Sequence, residues 1–73
     1  MPLIEVSIAE GRTPDQLRAL MHELHAAAVR TVDALPRNVH IIVRQVPRDL
    51  WASNDVSIAE RDSADPTTAP TEQ

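Results

Sequence analysis

The chain has 73 residues, a formal net charge of −4, no cysteine and no lysine. A domain of this length buries only about 60% of the surface that its unfolded chain exposes. Disulfides and thiolate metal sites are excluded, so the missing core is expected to come from partner subunits, and the composition predicts a homo-oligomer. An acidic chain with a single tryptophan offers neither a basic field nor a stacking surface for nucleic acid.

Export and membrane insertion are also not indicated. The sequence contains no charged segment followed by an apolar segment that would direct export, and no apolar run long enough to span a membrane. We therefore expect a cytoplasmic protein without a membrane or nucleic-acid partner.

The first predicted element is a strand. Residues 3–8 alternate, with Ile4, Val6 and Ile8 on one side and polar side chains between them, which is the period of a β-strand. The sequence Glu-Gly-Arg at residues 10–12 ends this pattern.

A helix follows. Thr13 is a favoured N-cap, Pro14 suits the first helical position, Asp15 falls in the first turn, and Gln16 is placed to complete a capping box. The apolar residues that follow at helical spacing are Leu17, Leu20, Met21, Leu24, Ala28 and Val32. This stripe is expected to lie on a sheet, with the charged side chains pointing away from it.

A second strand completes the fold. Pro36 disfavours helix beyond Leu35, and residues 39–46 are β-branched enough for a strand with both faces largely covered. A strand, a helix and a strand in this order predict an α/β fold, namely a right-handed βαβ unit with parallel strands.

The remainder of the chain is harder to interpret. After Pro47 we expect a short C-terminal hairpin or arm. The pentapeptide Val-Ser-Ile-Ala-Glu occurs at residues 6–10 and again at residues 56–60, but the flanking sequence does not repeat, so no duplication is inferred. Residues 63–73 have the composition of a disordered tail, which leaves residues 1–62 as the folded domain.

The candidate catalytic group is Pro2. If Met1 is removed, the nitrogen of Pro2 becomes the only amine of the chain, because lysine is absent. Pro2 alone is also compatible with a plain edge-strand start, where a missing N–H is harmless. The residue by itself is therefore a weak signal.

Together these features resemble the 4-oxalocrotonate tautomerase family. The shared pattern is Pro2 opening a strand, the Glu-Gly-Arg sequence before a capped helix, a second strand, and Pro47 followed by Trp51. The resemblance implies a βαβ subunit that oligomerises through its sheets as a dimer or homohexamer. It also implies a keto-enol tautomerase of aromatic catabolism that needs no metal or organic cofactor.

The resemblance assigns roles to three residues. Pro2 matches the catalytic general base, Arg12 matches an arginine that holds a substrate carboxylate, and Trp51 matches an aromatic wall of the pocket. A terminal amine has a reference pKa of about 8, and a secondary amine is more basic, so the pKa of Pro2 must be lowered for it to act as a base at neutral pH. Burial and a nearby guanidinium would both lower it.

His40 is a departure from the family pattern. It stands where well-known tautomerases carry a second substrate-binding arginine, so a second carboxylate would meet a weaker partner. Arg37 and Arg44 are nearby candidates for the missing charge. The preference for a mono- or a dicarboxylate is therefore open.

Other departures affect the turn and the reaction class. Residues 52–55 (Ala-Ser-Asn-Asp) replace a glycine-rich turn, although Asn and Asp tolerate left-handed backbone well. Related dehalogenases carry a glutamate and an extra arginine where this chain has Ser53 and Ala9. Proton transfer is thus favoured over water addition.

The sequence therefore predicts a cofactor-independent isomerase that acts on an enolised 2-oxo acid or 2-hydroxydienoate, with Pro2 as base and Arg12, His40 and Trp51 binding the substrate. The alternatives are a non-catalytic scaffold or ligand-binding protein of the same fold, and a dehalogenase-like or hydratase-like enzyme. His22 and His25 have permissible spacing for two metal ligands, but no third ligand accompanies them, so no metal site is expected.

Overall fold

The computed structural model describes residues 2–64. The helices and strands are β1 (Leu3–Ala9), α1 (Pro14–Val32), β2 (His40–Val46), β3 (Ala52–Ser53), β4 (Val56–Ser57) and α2 (Ile58–Ala64). The described residues form two compact units. The first contains residues 2–7 and Gly11–Arg44, and the second contains Ile8–Glu10 and residues 45–64.

Strands β1 and β2 form a two-stranded parallel sheet, which confirms the predicted βαβ unit. At one end of the ladder the N–H of His40 donates to the carbonyl oxygen of Pro2 at 3.0 Å. At the other end the N–H of Glu10 donates to the carbonyl oxygen of Val46 at 2.9 Å. The two strands therefore start together and end together.

Only one face of this sheet is covered within the chain. Along β1 and β2 the inward positions, such as Ile4 and Val43, are half-buried, and the alternate positions are exposed. The prediction that both faces of β2 are largely covered is wrong for the single chain, since His40, Ile42 and Arg44 are exposed. The βαβ unit contains one helix, and a single helix can cover only one of the two faces of the sheet.

Helix α1 begins as predicted. The Thr13 hydroxyl accepts from the N–H of Gln16 at 3.1 Å, and the Gln16 side chain accepts from the N–H of Thr13 at 2.9 Å, which closes the capping box. The helix ends before Pro36, because Asp33 adopts a left-handed conformation with φ 55° and terminates it at Val32. Val32 is consequently 66% exposed and does not extend the apolar stripe.

The core of the described residues is small. Its buried apolar side chains are Ala9, Ala28 and Ile58, and two of these three are alanines. Large apolar residues that remain exposed are Leu3, Val32, Leu35, Ile42, Leu50 and Val56. This agrees with the limited burial expected of so short a chain.

Strands β3 and β4 form the predicted C-terminal hairpin, with Ala52 opposite Ser57 and Ser53 opposite Val56. Asn54 and Asp55 make the two-residue turn with φ values of 55° and 63°. Both angles are left-handed, as a type I′ hairpin turn requires. The turn therefore forms without glycine.

Helix α2 is an element that the sequence interpretation missed. Its capping box is closed by Ser57 and Glu60: the N–H of Ser57 donates to the Glu60 carboxylate at 3.0 Å, and the N–H of Glu60 donates to the Ser57 hydroxyl at 3.1 Å. The Ser-x-x-Glu spacing fits this cap, but the same spacing at residues 7–10 lies in β1 and the bend after it, so the spacing alone does not predict a helix. The expected tail was placed from residue 63, but α2 continues to Ala64; residues 65–73 lie outside the described residues.

No helix between residues 2 and 64 combines the length and the hydropathy needed to cross a membrane.

Candidate active site

Pro2 lies immediately before β1 and is half-buried. Its carbonyl oxygen accepts the backbone hydrogen bond from His40, so the first bond of the parallel ladder holds the peptide group of Pro2 itself. The ring of Pro2 has limited backbone freedom because its φ is fixed. Both effects hold this residue at the start of the sheet.

His40 is the first residue of β2, and the structure brings it beside Pro2 as a backbone partner. Its side chain is exposed. Arg44, a candidate for a second substrate charge, instead pairs with Glu5 at 3.6 Å across the exposed face of the sheet. Arg37 lies exposed in the short 3₁₀ turn Pro36–Asn38.

Arg12 occupies the loop between β1 and α1 and is half-buried. It follows Gly11, whose φ of 130° favours glycine, and precedes the N-cap of α1. Pro2 and Arg12 thus lie beyond opposite ends of β1. Because β1 contains seven residues, their separation along the strand is about 23 Å at the rise of an extended chain. The structure does not bring Arg12 to Pro2 within one chain.

Trp51 belongs to the second compact unit, where it follows the 3₁₀ turn Arg48–Leu50 and is half-buried. Its carbonyl oxygen accepts from the N–H of Ile58, the first residue of α2, at 2.9 Å. The start of α2 therefore holds the backbone of Trp51.

The second unit also contains an ion pair that sequence reasoning missed. Arg48 binds Asp62 of α2 with Nη2 to Oδ2 at 3.0 Å and Nε to Oδ2 at 3.1 Å. Its Nη1 donates to the carbonyl oxygen of Glu10 at 3.0 Å. The partners are far apart in sequence, and no short motif indicates them.

Glu60 is the described carboxylate with a clearly displaced pKa. The N–H of Ser57 lowers the pKa of Glu60 below its ordinary value by donating to the charged carboxylate, and the Ser57 side chain lowers it further. This group acts in the cap of α2.

A separate surface pocket of about 420 Å³ lies in the first unit. It is lined by Arg18, Met21, His22, His25 and Ile41. His25 is already engaged, since its Nε2 lies 3.0 Å from the carbonyl oxygen of Pro36. Among residues 2–64, no three His, Cys, Asp or Glu side chains are grouped to hold a metal ion.

The fold and the residue pattern define a class of small βαβ proteins. The family model described as "Tautomerase enzyme" matches residues 2–61 of the chain. The chain belongs to this family and, by its relatives, to its 4-oxalocrotonate tautomerase branch. Family membership makes it a tautomerase, that is, an isomerase.

Two relatives illustrate the similarity. A probable tautomerase of Ralstonia nicotianae is 43% identical over 51 residues, which cover 70% of this chain and 73% of that protein. The 2-hydroxymuconate tautomerase of Comamonas testosteroni is 32% identical over 60 residues, covering 82% of this chain and 95% of the relative.

Solved structures show the same fold. TomN, a 4-oxalocrotonate tautomerase homologue of the tomaymycin biosynthetic pathway, superposes with a TM-score of 0.82 and is 37% identical in sequence. The match covers 89% of this chain and 98% of the TomN chain. A heterohexameric 4-oxalocrotonate tautomerase of Chloroflexus aurantiacus gives a TM-score of 0.79 and 33% identity, covering 82% of this chain and 97% of that one.

Proposed function

We propose that the chain is a cofactor-independent keto-enol tautomerase in which Pro2, freed by removal of Met1, is the general base. The observation that carries the proposal is the hydrogen bond that holds the carbonyl of Pro2 against β2. Pro2 is half-buried at the start of the sheet, so removal of Met1 would leave its secondary amine held there. No lysine or cysteine competes with that amine as a nucleophile or base.

The reaction is a proton transfer within one substrate. The Pro2 nitrogen accepts the proton of the enol hydroxyl of a 2-hydroxydienoate, and the O–H electron pair forms the carbonyl. The carbon–carbon double bonds shift along the chain, and a distal carbon takes the proton back from Pro2. No oxidant, reductant or water is consumed, so the atoms and charges balance.

The name 2-hydroxymuconate tautomerase, carried by the Comamonas testosteroni relative, supports this substrate class. Dienoates of this kind are products of aromatic ring cleavage, so we propose a role in aromatic catabolism.

Arg12 is proposed to hold the substrate carboxylate and to stabilise the developing enolate charge. The length of β1 separates Arg12 from Pro2 in one chain. A site that uses both must take them from different subunits. The exposed sheet face with Leu3 and Ile42 supports assembly through the sheets. We therefore propose a homo-oligomer, as a dimer or a hexamer.

The remaining roles concern the far end of the substrate. Trp51 is proposed to form an apolar wall of the site, and His40 to meet the polar end of the substrate. An imidazole is a weaker carboxylate partner than a guanidinium, which binds in a bidentate manner. The choice between substrates with one and with two carboxylates therefore depends on His40.

Intact mass and site-directed labelling test the proposal. Active protein should lack Met1, and the alkylating 2-oxo acid 3-bromopyruvate should add one label per subunit at Pro2 with parallel loss of 2-hydroxymuconate tautomerisation. A preparation that keeps Met1 is the matched control and should be neither labelled at Pro2 nor active. Activity with Met1 retained would overturn the proline mechanism. Correctly processed protein without turnover would instead indicate a scaffold or ligand-binding protein.

A further inference from the structure

We propose that the Arg48–Asp62 ion pair is a positioning device for the substrate-binding part of the second unit. The inference rests on the proposed function, because it assigns the pair a role in orienting Trp51. Neither Arg48 nor Asp62 is proposed to touch the substrate.

The contacts of Arg48 join three separate segments. Its Nε and Nη2 bind Oδ2 of Asp62 in α2, and its Nη1 binds the carbonyl oxygen of Glu10 at the end of β1. Arg48 is itself the first residue of the 3₁₀ turn Arg48–Leu50. A planar guanidinium can make such a set of bonds at once because its donors are fixed in a fork.

Each joined segment leads to a proposed substrate-binding residue. The 3₁₀ turn runs directly into Trp51, whose carbonyl is also bound by the N–H of Ile58 in α2. Glu10 stands two positions before Arg12 and is held on its other side by its own N–H bond to Val46. Glu10 is therefore held by Arg48 at its carbonyl oxygen and by Val46 at its N–H.

The burial of the pair favours positioning over stability as its purpose. The side chains of Arg48 and Asp62 are 24% and 35% exposed to solvent, respectively. Oδ1 of Asp62 is buried and accepts no hydrogen bond from residues 2–64. An ion pair with an unsatisfied buried oxygen contributes little net stability, because desolvation offsets the attraction.

The fluorescence of the chain gives a direct readout, since Trp51 is the only tryptophan. We would compare Arg48→Lys with the matched control Arg61→Lys, an exposed arginine of α2 next to Asp62. Lysine keeps the charge but lacks the fork. Arg48→Lys should increase acrylamide quenching of Trp51 and raise KM for 2-hydroxymuconate about tenfold, with kcat within about twofold. Arg61→Lys should change neither quantity.

Asp62→Asn provides a second, shape-conserving variant if Arg48→Lys does not assemble. It should move quenching and KM in the same direction, with the wild-type sedimentation profile retained. Unchanged quenching and KM in correctly assembled variants would overturn the proposal. A wild-type protein without turnover would refute the proposed function, whereas the quenching comparison would still decide whether the pair positions Trp51.

Discussion

The N–H of His40 donates a 3.0 Å hydrogen bond to the carbonyl oxygen of Pro2. The first rung of the parallel sheet is therefore built on the residue proposed as the catalytic base. Any change that shifts the start of β2 also shifts Pro2, since the two residues share this bond. The position of Pro2 is thus coupled to the register of the two strands.

The separation of Pro2 and Arg12 predicts complementation between inactive subunits. Pro2→Ala and Arg12→Ala should each reduce 2-hydroxymuconate turnover by about a hundredfold or more. When the two variants are unfolded together in equal amounts and reassembled, sites that combine an intact Pro2 with an intact Arg12 should form. Random mixing should restore about a quarter of the wild-type activity.

Reassembly of each variant alone is the control and should recover no activity. A mixture that stays as inactive as its components, while sedimentation shows mixed oligomers, would mean that the two residues do not meet across a subunit boundary.

His40 is expected to set the preference between substrates. His40→Arg should improve the kcat/KM ratio of a dicarboxylate over a monocarboxylate by about tenfold, because a guanidinium binds carboxylates in a bidentate manner and stays charged. His22→Arg, which adds the same charge on the exposed surface of α1, is the matched control. An unchanged ratio in His40→Arg would show that this side chain does not face the substrate.

The cap of α2 is expected to contribute to stability. Ser57→Ala removes the hydroxyl that accepts from the N–H of Glu60 and should lower the free energy of unfolding by about 1 kcal/mol. Urea unfolding at a fixed subunit concentration measures the change, since assembly contributes to apparent stability. Ser7→Ala, in the same pentapeptide but within β1, should have a smaller effect. Equal losses would argue against the cap.

The lowered pKa of Glu60 gives a pH dependence of known sign. The carboxylate of Glu60 is stabilised in the folded chain by the Ser57 N–H, so its contribution is present above the pKa of the unfolded chain. That contribution is lost as pH falls through the lower folded pKa. The stability difference between wild type and Glu60→Gln should therefore shrink upon acidification. A difference that grows at low pH would contradict the assignment.

The hairpin turn offers a stabilising substitution. Asp55 has a φ of 63°, a conformation that is costly for residues with a Cβ atom. Asp55→Gly should raise the free energy of unfolding by about 0.5 kcal/mol, because Asn-Gly is the preferred type I′ sequence. Asp55→Ala should lower it. A loss of stability in the glycine variant would indicate that the Asp55 side chain has a role of its own.

Much of the fold is determined locally and was predictable. The alternation of residues 3–8, the Thr13–Gln16 capping box and the β-branched residues before Pro47 each produced the expected element. The candidate site was harder to predict from the sequence. Pro2 and Arg12 could be chosen by type and pattern, and they flank β1 in the sequence itself. The pairing of His40 with Pro2 follows from the parallel crossover.

The pentapeptide Val-Ser-Ile-Ala-Glu adopts different secondary structure at its two positions, so its local sequence alone does not determine its conformation. At residues 6–10 it lies in β1 and the bend after it, and at residues 56–60 it crosses from β4 into α2. The sequence by itself determined the strand, the capped helix and the second strand, because period and caps act within a few residues. The conformation of residues 56–60 depends on tertiary contacts. Hairpin pairing holds Val56 and Ser57 in β4, and the Arg48–Asp62 ion pair anchors α2, which follows.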